Sequence, residues 1–326
     1  MPSRFVRFIG HPLGSKIALG LLVVLSLAYV LAARNLLHST VFAPAVTIST
    51  HQMENSPTVE LQHWTTTTMR TAIDADVLLN STSDFAAGAT GAAGRGAQQQ
   101  GQAPADSSLD YPRSTVGKIF FSDSSGLNYV CSGTAVTGRN GSMVDTAGHC
   151  LYWQQNWTQN VVFCPLYDHG STPFGCWAAR ALEVPSDWID ARPNDLHHDF
   201  GMAIVAPNAE GKLTDMVGGA GWAYNQVPEQ TFQAYGYPAA RPFDGQSRQS
   251  CGPVAATSWQ HGGGTVVSIP CNMTGGSSGG PWFVQLDGNW YLNGHNDFTS
   301  SLQYGHMFSP YYDDTWYTMY EQAQQA

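Results

Sequence analysis

Residues 275–286 read Gly-Gly-Ser-Ser-Gly-Gly-Pro-Trp-Phe-Val-Gln-Leu, and the residues after the two serines decide the fold. Gly276-Ser277-Ser278-Gly279-Gly280 satisfies the loose Gly-x-Ser-x-Gly pattern, which in an α/β hydrolase bridges a strand and a helix. Here Pro281 and the aromatic, strand-like Trp-Phe-Val-Gln-Leu at 282–286 oppose a helix. The glycine-flanked serines therefore lie between two strands, and the chain is read as all-β.

The surrounding sequence has the same texture. Short apolar or alternating runs recur at 117–121, 128–136, 142–147, 265–271 and 289–294, separated by Gly, Asn, Asp and Pro. Asn140-Gly141 between two of them predicts a tight hairpin with positive φ at both residues. Many short strands at this spacing mean a barrel or sandwich. No long amphipathic helix interrupts residues 111–310, and only Tyr311–Gln325 has the pattern of a terminal one. Charged residues make up only 12% of the 326-residue chain while glycine reaches 34, a composition that disfavours a helical bundle. The net charge is −10, and Arg4, Arg7, Lys16 and Arg34 all fall in the acid-free first 45 residues. So acidic a body will not track a phosphate backbone, and nucleic acid is excluded as a partner.

Three places in the all-β region carry chemistry. Thr146-Ala147-Gly148-His149-Cys150 ends a strand and exposes a histidine at its rim. Asp199-Phe200-Gly201-Met202-Ala203-Ile204-Val205 sets an acid at the mouth of an apolar run. The third is the Ser278 turn. A serine hydroxyl becomes a nucleophile when an imidazole takes its proton, and a buried carboxylate holds that imidazole in the right tautomer. Glycines around Ser278 allow the backbone N–H groups of Gly276 and Ser278 to converge on a carbonyl oxygen under attack. The order His, Asp, Ser runs against the Ser, Asp, His order of an α/β hydrolase.

These three segments resemble the signature segments of the trypsin-like and glutamyl-endopeptidase-like serine proteases of the chymotrypsin-fold superfamily, over roughly Tyr111–Tyr320. The resemblance implies two six-stranded antiparallel β-barrels with the active site between them. The first would span about 111–225, the second about 226–310, and a helix about 311–325. It implies a serine endopeptidase with His149 as base, Asp199 as orienting acid and Ser278 as nucleophile, acting on proteins or peptides as a monomer without cofactor or metal. Cys131 and Cys150 match the disulfide that braces the histidine loop, leaving Cys164–Cys176 and Cys251–Cys271 as the remaining pairs. Asn272 and Met273 before the serine, and His295 and Asn296 after it, are the expected substrate-binding residues. The best register puts Asn296 where the glutamyl enzymes have a histidine. Ser277 stands where animal digestive enzymes have an aspartate that pairs with a newly freed amino terminus, so that activation route is closed. The competing reading from another class is a catalytically silent, protease-like ectodomain that binds partners at a membrane.

Other acids near the histidine in sequence are Asp187, Asp190 and Asp195, but only Asp199 opens an apolar run. His197 and His198 would point to opposite faces of an extended chain, which argues against a metal site. All six cysteines lie beyond residue 130, an even set without a Cys-x-x-Cys pair, so disulfides in an oxidising compartment are expected. Ile17–Ala33 is an uncharged apolar run behind a basic start. It reads as a cleavable signal peptide or as an uncleaved anchor attaching the protein to the membrane. Residues 46–110 are expected to be a largely disordered propeptide and linker, because 86–108 are Ala/Gly/Gln-rich with almost nothing apolar to bury. Met69, Ile73, Val77 and Leu78 have helical spacing within it. The linker is the expected place of cleavage, with Arg113–Ser114 the sharpest candidate bond.

Overall fold

The computed structural model describes residues 46–77, 111–190, 195–261, 263–300 and 303–326. The apolar run 17–33 and the linker 86–108 lie outside the described residues. Among the described residues no helix is long and apolar enough to cross a membrane.

The amino-terminal part holds β1 (Ile48–Gln52), two short helices at Pro57–His63 and Thr66–Thr71, and β2 (Ile73–Asp74). The barrel strands are β3 (Val116–Ser122), β4 (Asn128–Val136) and β5 (Met143–Ala147), then the small hairpin β6 (Tyr152–Trp153) and β7 (Asn156–Trp157), then β8 (Gln159–Pro165), β9 (Trp177–Pro185) and β10 (Phe200–Val205). Pairing runs β9-β10-β5-β4-β3-β8 and returns from β8 to β9, which closes one six-stranded antiparallel barrel. Closure explains the burial pattern: all seven residues of β3 are buried, because its neighbours and the packed segments leave no face to water.

The second half is formed by β11 (Thr231–Gly236), β12 (Gln249–Ala255), β13 (Thr257–His261), β14 (Gly264–Pro270), β15 (Pro281–Leu286), β16 (Asn289–His295), β17 (Phe298–Ser300) and β18 (Gln303–Pro310). It corrects the expectation of a second barrel. These strands make two four-stranded sheets, β12-β11-β15-β16 and β13-β14-β18-β17, neither of them closed. They enclose a core containing Phe232, Ile269, Met273 and Trp282. The ladder breaks where the chain passes from one sheet to the other. At Ala256 the N–H turns to Gln230 O, and at the end of β16 the Asn296 N–H bonds Gly280 O while the next residue, Asp297, bonds Phe308 O. Pro253 within β12 has no N–H to extend the ladder.

The amino-terminal segment also departs from expectation, since residues 46–77 pack on the barrel. β1 adds to β9 with Ile48 opposite Pro185 and Gln52 opposite Ala181. Trp64 and Met69 join the buried cluster that holds Phe120, Val162 and Ala178, and the Trp64 indole donates to Asn160 O at 2.6 Å. The expected helical stripe is cut short: the helix capped by Thr65 ends at Thr71, and Ile73 and Val77 are exposed. The hairpin turn differs too, with positive φ at Gly141 only. Asn140 instead uses its side chain, accepting from Ser142 N–H and donating to Ala323 O. The terminal helix spans Asp314–Ala323, capped by Asp313. Disulfides join Cys131–Cys150, Cys164–Cys176 and Cys251–Cys271. A loop the size of the first contributes about 3 kcal/mol in the chain-entropy model.

Lys118 in β3 is wholly buried, with Nζ donating to Gly245 O at 2.7 Å above the rings of Phe120 and Tyr167. Burial brings its pKa down to about 7, against the pull of Asp244. The unfolded chain keeps this proton up to a pKa of 10.5, so between these values it binds more protons than the native state and stability rises with pH. Thermal unfolding of Lys118→Met should show a flatter pH dependence above pH 7 than the parent protein. An equal slope would mean that Lys118 does not lose its proton on folding.

Candidate active site

β5 ends at Ala147 and the chain turns at once through Gly148–Cys150, which carries His149 to the barrel rim. Gly148 is required there: a Cβ would lie 2.8 Å from Phe200 O and 2.9 Å from Asp199 Oδ1. With no side chain in the way, Asp199 closes on the histidine. Its Oδ1 accepts the His149 backbone N–H at 2.7 Å and its Oδ2 meets His149 Nδ1 at 2.8 Å. Asp199 has no exposure and His149 is 1% exposed. Burial by itself would raise the Asp199 pKa and lower that of His149. The mutual attraction and hydrogen bonding of the pair overcome it, holding Asp199 below and His149 well above the usual range.

Ser278 sits at the turn before β15, buried against the barrel. Ser132 in β4 anchors this turn: its N–H donates to Ser278 O at 2.8 Å and its hydroxyl to Gly276 O at 3.0 Å. Gly276 has φ +89°, a conformation that strains any other residue. The structure thus brings His149, Asp199, Ser278 and Gly276 together.

Two further acids enter this site that the sequence reading did not anticipate. Asp76 reaches it from the amino-terminal segment. β2 runs parallel to β4, with Ile73 opposite Tyr129 and Asp74 opposite Val130. Ala75 is buried and donates to Val130 O, and the Asp74 carboxylate packs against Gly275, where a side chain would have to displace it. Asp76 then accepts from the Ser278 hydroxyl at 2.9 Å and from the Gly276 N–H, and lies 3.9 Å from His149 Nε2. Burial raises its pKa, with the His149 charge and the Ser278 hydrogen bond opposing. Asp297 approaches from the opposite side, with Oδ1 at 3.5 Å from His149 Nδ1.

The expected substrate-binding residues do not form a polar pocket. The imidazole of His295 is fully buried between the Tyr312 hydroxyl at 2.9 Å and Asp199 O at 3.1 Å, to which Nε2 donates. Asn296 is buried too: its amide donates to Tyr235 O and Ser277 O and accepts from the Trp282 indole. Met273 belongs to the core of the second half, and Asn272 is exposed. His295 and Asn296 are held inward by these hydrogen bonds at and just past the end of β16. Ser277 is buried and its hydroxyl has no hydrogen-bond partner among the described residues.

Of the competing acids, Asp195 turns to the histidine pair. Because Leu196–His198 is a 3-10 turn and not extended chain, His197 and His198 lie on one side. Their Nδ1 atoms are 2.5 and 3.2 Å from Asp195 carboxylate oxygens, and Asp187 lies 3.9 Å from His198 Nε2. This corrects the expectation of opposite faces. Asp195 is the partner of both imidazoles.

An imidazole oriented by a buried carboxylate, beside a serine on a glycine turn, defines a nucleophilic hydrolase built on a barrel rim. No family model and no curated protein matches the chain. Solved structures do. The protease Anisep from Arthrobacter nicotinovorans is 38% identical, over 65% of this chain and 96% of that one, with a TM-score of 0.59. The thermostable serine protease AL20 from an extremophilic microorganism is also 38% identical, over 66% of this chain and 98% of that one, with a TM-score of 0.59. A Glu endopeptidase solved in complex with MPD is 16% identical over 69% and 96% of the two chains, with a TM-score of 0.55, a likeness of fold. The chain belongs to this family of serine proteases within the chymotrypsin-fold superfamily, and it is a serine endopeptidase that acts on protein or peptide substrates.

Behind the site the Tyr312 hydroxyl donates to Asp145 Oδ2 at 2.6 Å, and the Trp316 indole donates to Asp145 Oδ1 at 2.7 Å. This buried chain ties the terminal helix, through His295, to the backbone of Asp199. Tyr312→Phe leaves Asp145 Oδ2 and His295 Nδ1 short of a partner and should lower unfolding stability by about 1–3 kcal/mol. Denaturant titration checks it, and an unchanged midpoint would show that the hydroxyl is dispensable.

Proposed function

We propose that Ser278 is the nucleophile of this endopeptidase, His149 its general base and Asp199 the acid that orients the imidazole. The hydrogen bond between His149 Nδ1 and Asp199 carries the reading, because it turns Nε2 toward the Ser278 side of the cleft. His149 Nε2 takes the serine proton as Oγ attacks the scissile carbonyl, and the N–H groups of Gly276 and Ser278 stabilise the oxyanion. The imidazolium then gives its proton to the leaving amine. Water hydrolyses the acyl-enzyme by the same steps in reverse roles. Ser278→Ala should abolish labelling by a fluorophosphonate and lower peptidase activity by roughly three orders of magnitude or more while the fold survives. Undiminished turnover would refute the assignment.

The described arrangement further supports a latent precursor, with residues 46–77 as an inhibitory prosegment. Asp76 offers Ser278 a carboxylate where a substrate would offer a carbonyl. A carboxylate is a poor electrophile, and here it occupies the Gly276 N–H while holding the serine hydroxyl away from His149 Nε2, which has no hydrogen bond of its own. Release requires a cut between the prosegment and β3. Arg113–Ser114 is a poor place for it, because Ser114 is buried and the Arg113 carbonyl accepts from Arg248 at 2.7 Å. The polar linker before residue 111 suits it better. The uncut chain carrying Asp76→Ala should react with a fluorophosphonate at least about tenfold faster than the uncut parent, as expected from losing one charge-assisted contact. Equal rates would show that Asp76 does not block the site.

Three disulfides are stable in an oxidising compartment, and with the family they support an extracellular enzyme. The basic, apolar start at 4–33 supports export, as a cleaved signal or as an anchor that keeps the enzyme at the membrane.

A further inference from the structure

The second acid beside the histidine has no role in the mechanism above. Asp297 is 1% exposed, and neither of its carboxyl oxygens has a hydrogen-bond donor among the described residues. It lies where the chain crosses between the two sheets of the second half, held by its own N–H to Phe308 O, with the Ser278 hydroxyl 3.4 Å from its carbonyl oxygen. Its carboxyl faces the edge of the His149 ring that Asp199 also faces: Nδ1 is 2.8 Å from Asp199 Oδ2 and 3.5 Å from Asp297 Oδ1. Nδ1 carries one proton, so it can satisfy only one of the two acids.

The donors decide which. Asp199 receives two N–H groups from His149, one from the backbone and one from the ring, whereas Asp297 receives none. No lysine or arginine ion pair to either carboxyl is found among the described residues. Two adjacent carboxylates sharing one imidazole in a buried site cannot both keep a negative charge. The one with two N–H donors, Asp199, stays ionised, and a proton on the other turns an orphaned acceptor into a donor with Asp199 as its acceptor.

We propose that Asp297 is a positioning residue of this active site, a neutral carboxylic acid that donates a hydrogen bond to Asp199 and thereby fixes the carboxylate that orients His149. It deepens the catalytic reading given above and rests on it. Burial and then the neighbouring Asp199 charge push the Asp297 carboxyl well above the usual range, and the bond to Asp297 helps to hold Asp199 low. The titratable groups that bear on it come from every side of the site. They are His149 after β5, Asp199 before β10, Asp76 from the amino-terminal segment, and Tyr312 behind, with His295 bridging Tyr312 and Asp199.

A neutral donor makes a prediction that a mere space-filler does not. Above the pH at which Asp297 loses its proton, the donor vanishes and a second negative charge appears beside Asp199, so the parent enzyme should lose orientation of His149 on the alkaline side. Asparagine keeps a donor at this position and cannot ionise.

The test uses the chain with Asp76→Ala, cut in the linker before residue 111 so that residues 46–77 can leave the cleft and the serine is reachable in every sample, and compares Asp297, Asp297→Asn and Asp297→Ala. Peptide hydrolysis is measured as kcat and KM from pH 5 to 11, with fluorophosphonate labelling and thermal unfolding alongside. Asp297→Ala should lose about tenfold to a hundredfold in kcat with little change in KM, as expected from a lost hydrogen bond to a charged group. Asp297→Asn should recover most of that loss near neutrality and keep its activity to higher pH than the parent. If Asp297→Asn falls as far as Asp297→Ala while both melt like the parent, an ionised carboxylate is needed and the proposal is wrong. It is also wrong if Asp297→Ala matches the parent at every pH. Absence of fluorophosphonate labelling in the parent sample would overturn the catalytic reading itself, which separates the two failures.

Discussion

The burial of one negative charge, the Asp199 carboxylate, is the constraint around which this molecule is arranged. A carboxylate without exposure survives only with donors around it, and here two of them come from the residue it serves, His149. That need fixes the local sequence. A side chain at position 148 would collide with the acid, and one at 201 would collide with the Ala147 carbonyl. The pairing of β10 with β5, Phe200 opposite Ala147, then delivers the acid to the histidine.

The same burial organises the second half of the chain. His295 was expected in a specificity pocket, yet its ring braces the Asp199 carbonyl and passes the connection to Tyr312, Asp145 and Trp316. The terminal helix is thereby linked to the active site through polar groups, each satisfied by the next. Closure of a second barrel would need one continuous ladder from β16 into β17. The switch of partner between Asn296 and Asp297 breaks that ladder, and the break is what lodges the Asp297 carboxyl beside His149.

The amino-terminal segment was read as lacking a core of its own, and in isolation it lacks one. Its order comes from surfaces it borrows. β1 satisfies the free edge of β9, Trp64 and Met69 join a buried cluster with Phe120, Val162 and Ala178, and Ala75 and Asp76 enter the cleft. Low hydrophobicity predicts disorder only for a chain that must bury its own apolar groups against themselves. A few well-placed contacts on a neighbour suffice, and composition averaged over 46–110 hides them.

Periodicity, turn chemistry and three short segments made the all-β class and most of the strands legible, and they singled out His149, Asp199 and Ser278, which the fold sets side by side. Each depends on local backbone demands: alternation along a strand, glycine where φ is positive or approach is close, proline where no N–H is wanted. The three disulfide pairs were legible only through resemblance. What the tertiary structure alone decided is long-range. It closed one barrel and left the other half as two sheets. It turned His295 and Asn296 inward and folded His197 and His198 onto one acid. It also set Asp76 and Asp297, 221 positions apart, on either side of a single imidazole. None of these can be read from spacing along the chain, because each depends on which distant backbone group a strand edge or a buried acid finds within hydrogen-bonding reach.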